Sequence, residues 1–340
     1  MALSSAPAGL TVITGPEALR HIAAQRPACL DLVRRAYLAH DAGDSALPHS
    51  SFLRIPHRER DRIIALPAYL GGEFDVAGIK WIASWPENTA QGLPRASALL
   101  ALNDPATGFP FACLEASVIS ATRTAASAVL GAELLMGERV ARQVGFVGTG
   151  LIAGHVADFF HDLGWRMGGY RLFDLDRDTA NRFATRLAHQ GATAVQVVTD
   201  AAEVFSNCDL VVTATVAASP YLQDPSLLAG HPVVLHLSLR DLAPAVILSA
   251  QNITDDIDHV MRENTSLHLT EQEVGHRDFV HGTVADLLTG RLQRDPAKLT
   301  VYSPFGLGVL DLAIGQWVYA QAHKMGEARL ITEFFPSVTG

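Results

Sequence analysis

The run Val144-Gly145-Phe146-Val147-Gly148-Thr149-Gly150-Leu151-Ile152-Ala153 restricts this chain more than any other ten residues in it. A short apolar strand feeds G-x-G-x-x-A. In such a turn Gly148 permits the tight reversal and Gly150 lets the backbone approach a pyrophosphate. Ala153 lets the next helix lie close to the sheet, with its first N–H groups facing the phosphates. A second strand ends at Asp174, 26 residues after Gly148, where an acid can bind a ribose 2′-hydroxyl. A glycine pattern alone is a weak signal and fits an ordinary strand–helix turn. The strand before it, the helix after it and the acid beyond make it specific. Gly148, Thr149, Gly150, Leu151, Ile152 and Asp174 are therefore the expected cofactor contacts. A carboxylate at Asp174 repels a 2′-phosphate, so NAD is expected over NADP, with Arg177 working against that preference.

The surroundings agree with a Rossmann α/β domain. Strand-like runs at Tyr170–Phe173, Ala194–Val198, Leu210–Thr213 and Val233–Leu237 alternate with helical ones, and Asn252–Thr254 reads as a sixth strand. This spacing predicts a doubly wound parallel sheet. Ligands then sit beyond the carboxyl ends of the strands, which adds Thr213, Thr215, Ser238 and Ser303 to the expected cofactor contacts. Before this domain the texture is mixed. A helical pattern spans Ala18–His40, strand-like runs cover Ile63–Tyr69, Gly78–Ser84 and Ala98–Leu102, and an Ala-rich helix covers Ile119–Met136. The tail Gly308–Met325 reads as one amphipathic helix that returns to the first domain. The expected organisation is a discontinuous α+β substrate and dimerisation domain, 1–122 with 305–340, around a Rossmann domain, 123–304.

Composition excludes several function classes. The net charge is −9 with no basic block, which argues against nucleic acid and anionic membrane as partners. The three cysteines, Cys29, Cys113 and Cys208, are scattered without metal spacing, and the fourteen histidines form no H-E-x-x-H pair. No metal is expected, and a reducing, cytoplasmic setting is. Met1–Ser5 shows no leader pattern, and no uncharged apolar stretch has the roughly 18 residues a membrane helix needs.

Against this acidic background several cations stand in apolar or strand-like settings: Arg54, Lys80, Arg95 and Arg123. A cation inside an apolar strand is paired or serves a ligand. Guanidinium forks bind carboxylates bidentately and lysine supplies a point charge, so the group suits a small anionic substrate. Taken one at a time, each is equally readable as a salt-bridged surface charge. Asp241 follows the fifth strand in His236-Leu237-Ser238-Leu239-Arg240-Asp241. It is the main acid–base candidate, although a loop-capping role explains an aspartate there equally well.

Taken together, Gly78-Ile79-Lys80, Thr107-Gly108-Phe109-Pro110, Arg123-Thr124-Ala125-Ala126, Gly148-Thr149-Gly150 and Gly306 followed by Asp311 resemble the ornithine cyclodeaminase/mu-crystallin family, over about 51–312. Within it, Pro94-Arg95-Ala96-Ser97-Ala98, Phe111-Ala112-Cys113-Leu114-Glu115 and Ser303-Pro304-Phe305-Gly306-Leu307-Gly308 are similar to the branch that completes 2,3-diaminopropionate synthesis for siderophores. The resemblance implies oxidation of N-(2-amino-2-carboxyethyl)-L-glutamate by NAD, then imine hydrolysis to 2,3-diaminopropionate and 2-oxoglutarate. It implies that Arg54, Lys80 and Arg123 hold substrate carboxylates, that Asp241 and Lys80 stand at the reacting centre, and that the protein is a homodimer. Leu239-Arg240 before the aspartate, and Arg95, depart from cyclodeaminases and add positive charge for a substrate with several carboxylates. Ornithine cyclodeaminase, an amino-acid dehydrogenase, an imine reductase and a non-catalytic NAD(P)H-binding protein are the rival readings.

Overall fold

The computed structural model describes residues 9–336; Met1–Ser5, considered above for a leader, lies outside them. The chain divides into two compact units, 1–123 with 307–340, and 124–306.

The first unit is a mixed sheet with helices. Strand β1 (Gly9–Ile13) leads into α1 (Gly15–Ala24) and α2 (Arg26–Asp41), followed by β2 (Ser45–Ala46), β3 (Ser51–Ile55), β4 (Arg58–Leu70), β5 (Val76–Ser84), β6 (Ala96–Asn103) and β7 (Pro110–Glu115). The sheet order is Arg329–Thr332, β1, β7, β6, β5, β4, β2, with β3 also paired to β4. All of these neighbours are antiparallel except β1 and β7. The pattern expected as one helix over Ala18–His40 is broken at Gln25. Pro27 lies in the first turn of α2, where a missing N–H costs nothing, whereas inside one continuous helix it would leave the Ala23 carbonyl without its donor and clash with it. The C-terminal helix Gly308–Lys324 packs on β4, β5 and β6. It is not amphipathic over its first two turns, since all of Gly308–Gly315 is buried. Close approach explains its glycines: a Cβ on Gly315 would stand 2.3 Å from Leu100 Cδ2.

Helix α3 (Ser117–Met136) runs from the first unit into the second. It is long and apolar enough to cross a membrane, but it is mostly buried in the fold, as core helices are.

The second unit is an eight-stranded, all-parallel sheet. Its order is Val195–Val197, Tyr170–Phe173, Val144–Val147, Leu210–Thr213, Val233–His236, Thr300–Ser303, Gln251–Thr254, Val280–Thr283. Every residue of Val144–Val147, Leu210–Thr213 and Val233–His236 is buried, as expected where helices cover both faces. The expected sixth strand is displaced one place outward, because Thr300–Ser303 inserts beside Val233–His236. That strand is fully buried despite its hydroxyls: Thr254 Oγ1 donates to the Ser303 carbonyl, and Tyr302 Oη lies 2.9 Å from Ser127 Oγ.

Candidate functional site

The chain leaves Val144–Val147 through Gly148, whose φ is 84°, a conformation glycine adopts without the Cβ penalty. Space makes the same demand, since a Cβ there would lie 2.7 Å from the Ala214 carbonyl carbon. Gly150 is the N-cap of helix Leu151–Asp162, and nothing stands within 4 Å of where its Cβ would be. That gap in front of a helix N-terminus fits a pyrophosphate against backbone N–H groups. The Thr149 N–H and hydroxyl both donate to Asp174 Oδ2, at 2.7 and 2.9 Å, and the Asp176 N–H donates to Oδ1 at 3.0 Å. The Asp174 carboxylate is thereby pinned to the turn, with lone pairs left for ribose hydroxyls. Leu151, Leu175 and Val216 follow the carboxyl ends of three strands and are exposed, Leu175 at 96%. Such an apolar rim suits the flat rings of a dinucleotide, and the turn residues fit that ligand.

At the ends of the next strands a polar cluster surrounds Asp241, which is fully buried. Thr215 and Ser238 donate their hydroxyls to its two carboxylate oxygens, and Ser238 Oγ also lies 3.0 Å from Thr213 Oγ1. The buried His236 ring is wedged between partners, Nδ1 3.0 Å from Ser303 Oγ and Nε2 3.3 Å from Asp241 Oδ2. Burial works to raise the Asp241 carboxyl. The hydrogen bond and charge of His236, with the hydroxyls of Thr215 and Thr213, outweigh it and hold the group below its ordinary value. Burial and the facing Asp241 charge push the Tyr221 phenol well up.

The loop carrying Asp241 is over-determined. Leu239 has φ 66°, which costs about 1–3 kcal/mol in a non-glycine residue. The Ser266 N–H holds the Leu239 carbonyl at 2.7 Å, and Arg240 donates twice to the Glu263 carbonyl, at 3.1 and 2.7 Å. Arg240 thus anchors the loop through its guanidinium.

The first unit carries a cluster of its own. Lys80, on β5, is 1% exposed, and Asp311, on the C-terminal helix, is fully buried. Lys80 Nζ donates to Asp311 Oδ2 at 2.6 Å and to Ser120 Oγ at 3.0 Å, and Arg123 Nε donates to Asp311 Oδ1 at 3.3 Å. One buried carboxylate therefore serves two cations, the buried Lys80 and the partly exposed Arg123. Burial, reinforced by the Arg123 charge, lowers Lys80 to about 8 against the pull of Asp311.

Arg54 lies on β3, exposed, with its guanidinium 5.8 Å from the Phe52 ring. Arg95 is half-buried just before β6. Of the expected residues, Lys80 and Arg123 form one group, and Asp241, Thr213, Thr215, Ser238 and Ser303 another, linked through His236. Sequence reasoning missed His236, whose signal is a histidine inside an otherwise apolar Val-Val-Leu-His strand, and it missed that Asp311 joins Lys80 to Arg123. Among the described residues no three His, Cys, Asp or Glu side chains gather as a metal site would need.

The family model described as ornithine cyclodeaminase/mu-crystallin family matches residues 21–326. The chain belongs to that family. It is 29% identical over 304 residues to the N-((2S)-2-amino-2-carboxyethyl)-L-glutamate dehydrogenase of Staphylococcus aureus, covering 87% of this chain and 90% of that protein. Among solved structures, the Thermococcus litoralis delta(1)-pyrroline-2-carboxylate reductase in complex with NADH and L-proline superposes with a TM-score of 0.86 at 21% identity, covering 95% of this chain and all of that one. An archaeal alanine dehydrogenase dimer with bound NAD gives a TM-score of 0.85 at 23% identity, covering 96% and 99%. These likenesses place both sheets in a fold that the family shares.

Proposed function

We propose that the protein is an NAD-dependent oxidoreductase acting on a carbon–nitrogen bond of an anionic amino acid, with N-(2-amino-2-carboxyethyl)-L-glutamate as substrate. The observation that carries this reading is the sharing of one buried carboxylate, Asp311, by two cations, Lys80 and Arg123. The residual charge there is balanced when a substrate carboxylate binds. The resemblance to the Staphylococcus aureus enzyme supports the choice of substrate.

In this reading Arg54, Lys80 and Arg123 hold the substrate carboxylates, Lys80 and Arg123 taking the glutamate α-carboxylate and so orienting its Cα–H. Orientation of this kind accounts for a large share of rate enhancement. The Gly148–Gly150 turn and Asp174 would hold NAD, which would supply the hydride acceptor for that carbon. The secondary amine reacts in its neutral form, its ammonium proton having gone to solvent, and loss of the hydride turns the Cα–N bond into a protonated imine. Asp241 remains ionised near neutral pH because His236 and two hydroxyls hold it so. Its negative charge stabilises the positive charge developing on nitrogen, and it orients the attacking water. Addition of that water and cleavage of the C–N bond give 2-oxoglutarate and 2,3-diaminopropionate. Arg240 positions the loop. The test is NADH formation with this substrate, alanine and ornithine in parallel; turnover with alanine or ornithine alone would replace the proposed substrate.

Two expectations follow for cofactor and assembly. Because Thr149 holds the Asp174 carboxylate in place, NAD is expected to be preferred over NADP by at least about tenfold, roughly 1.4 kcal/mol. Equal kcat/KM with both cofactors would refute this, and Asp174→Ala is expected to narrow the gap.

The second concerns the sheet face opposite Lys80. There Trp81 is 42% and Leu99 54% exposed, as directly opposite neighbours on β5 and β6, with Leu53 and Ile79 exposed nearby. An exposed apolar patch of this kind marks an interaction surface. A second copy of the chain is the proposed occupant, and the archaeal alanine dehydrogenase of the same fold is a dimer. Light scattering at micromolar concentration is expected to give a dimer, and Trp81→Glu with Leu99→Glu a monomer. A monomeric wild type would end this proposal.

A further inference from the structure

His236 and Asp241 face each other, both fully buried. The histidine ends the strand Val233–His236, and the chain returns to it past Leu239 and its positive φ. The two residues meet twice. The Asp241 backbone N–H donates to His236 Nε2 at 3.2 Å, and Asp241 Oδ2 lies 3.3 Å from the same nitrogen. On the other side of the ring Nδ1 lies 3.0 Å from Ser303 Oγ.

These contacts fix where the ring carries its proton. A backbone N–H can only donate, so Nε2 must offer it a lone pair. In a neutral imidazole the proton is then on Nδ1, which donates it to Ser303 Oγ. Nε2 and the ionised Asp241 Oδ2 are therefore two acceptors side by side with no proton between them. Donors already serve the carboxylate elsewhere, Thr215 on Oδ1 and Ser238 on Oδ2. Among the described residues the ion-pair partner of the ring is Asp241 alone. Two facing acceptors make a place for one proton. Once it arrives, Nε2 becomes a donor to Oδ2, and against burial the hydrogen bond and charge of the ring keep Asp241 ionised. A carboxylate so held is a weak base by itself, since a general base works best when its affinity for protons matches the working pH. A partner that stores the proton removes that weakness.

We propose that His236 and Asp241 act as one proton-holding pair, in which His236 takes, through Asp241, the proton that the attacking water loses and lends it back to the departing amine. This rests on the proposed function, which supplies the protonated imine. The water oxygen bonds to the former Cα, and the C=N electron pair moves onto nitrogen. A proton of that water passes to Asp241 and on to His236 Nε2. It returns to the nitrogen, and the C–N bond breaks with its electron pair going to the amine. The hydroxyl on carbon becomes the 2-oxo carbonyl, and its proton passes through the pair to the amine, which leaves as an ammonium. Protonated imine and water thus give 2-oxoglutarate and protonated 2,3-diaminopropionate, with the pair restored. Asp241 meets the water; His236 acts through it, as a positioning residue.

Two measurements test this. The first needs no substrate: nitrogen NMR of the NADH-bound protein with isotope-labelled histidine, the ring being neutral. His236 is identified by the signals that His236→Gln removes. The expected spectrum shows a proton on Nδ1 and none on Nε2, and a proton on Nε2 overturns the proposal. The second follows a single turnover of N-(2-amino-2-carboxyethyl)-L-glutamate with NAD by rapid quench, reading NADH and 2-oxoglutarate separately. Glutamine keeps hydrogen-bonding reach but takes no proton. His236→Gln is therefore expected to slow 2-oxoglutarate formation at least about tenfold more than NADH formation, a modest share of what general acid–base groups contribute. His236→Asn, which keeps reach to Ser303, is expected to show the same split, and NADH titration shows that each variant is folded. A merely structural histidine slows both steps alike; that result, or no slowing of either, overturns the proposal. If wild type forms no NADH from this substrate, the proposed reaction fails, and the position of the ring proton alone decides whether the pair is built to take another.

Discussion

Asp241→Asn is expected to lower turnover about 10²–10⁴-fold, the range typical of a general acid–base or charge-stabilising group, with little change in NADH affinity. Asparagine keeps the size of the side chain, and the hydroxyls of Thr215 and Ser238 can rotate to suit an amide. What it removes is the negative charge of a buried group. Because Asp241 is held below its ordinary value, it is not the group that titrates on the acid limb of the pH profile. In the proposed mechanism that limb belongs to the substrate amine, which must be neutral to lose a hydride, and it is expected to persist in a residual-activity variant. Steady-state kinetics together with fluorescence titration of NADH decide the matter. Near-normal turnover by Asp241→Asn would make the aspartate structural. Absence of turnover in both proteins, with NADH binding intact, would point instead to the wrong substrate.

Asp311→Ala is expected to destabilise the protein by about 3–5 kcal/mol, the cost of stranding a buried charge by removing its partner. The effect is placed high in the usual range for point substitutions because Asp311 serves two cations at once, Lys80 at 2.6 Å and Arg123 at 3.3 Å. Replacing Lys80, Arg123 and Asp311 together by methionine, methionine and leucine is expected to recover much of that stability, because apolar replacement of a whole buried charge cluster is often neutral or better. It is expected to abolish substrate binding. Denaturant unfolding of the two variants checks this, and equal loss in both would show that packing, not charge, is at stake. Lys80 adds a pH signature. Its pKa in the fold, about 8, lies below the ordinary lysine value of 10.5. Between these values the unfolded chain binds the extra proton, so the Lys80 contribution to stability rises with pH. Substrate capture moves the other way, because the ammonium that holds the carboxylate is lost above about pH 8. KM is therefore expected to climb there without a matching loss of fold.

What the sequence discloses and what it hides divide along physical lines. The Gly148–Gly150 turn, Asp174 and the Asp241 loop are legible because their constraints are local: a positive φ, a close approach, a strand end. Asp311 is visible only as a mark of resemblance. Its role depends on a partner 231 residues away, and no spacing rule reaches that far. His236 is hidden for the opposite reason, since one polar residue in Val233–His236 reads as part of an apolar strand until Ser303 and Asp241 flank it. The Thr300–Ser303 strand escapes because its hydroxyls mask its burial. The break at Gln25 was readable from Pro27, whose local signal the longer helical periodicity overrode.

The contribution of the C-terminal helix to the Lys80 cluster also has a consequence for biosynthesis. Lys80 and Arg123 leave the ribosome long before Asp311. Throughout that interval their charges have no carboxylate to be buried against, and the helix that packs on β4, β5 and β6 does not yet exist. The unit 124–306 is synthesised whole earlier, so the middle of the chain is expected to fold first, against the usual N-terminal-first order. A nascent chain halted before Gly308 carries a finished nucleotide-binding sheet beside an uncovered apolar one, which makes it a client for chaperones and a target for proteases.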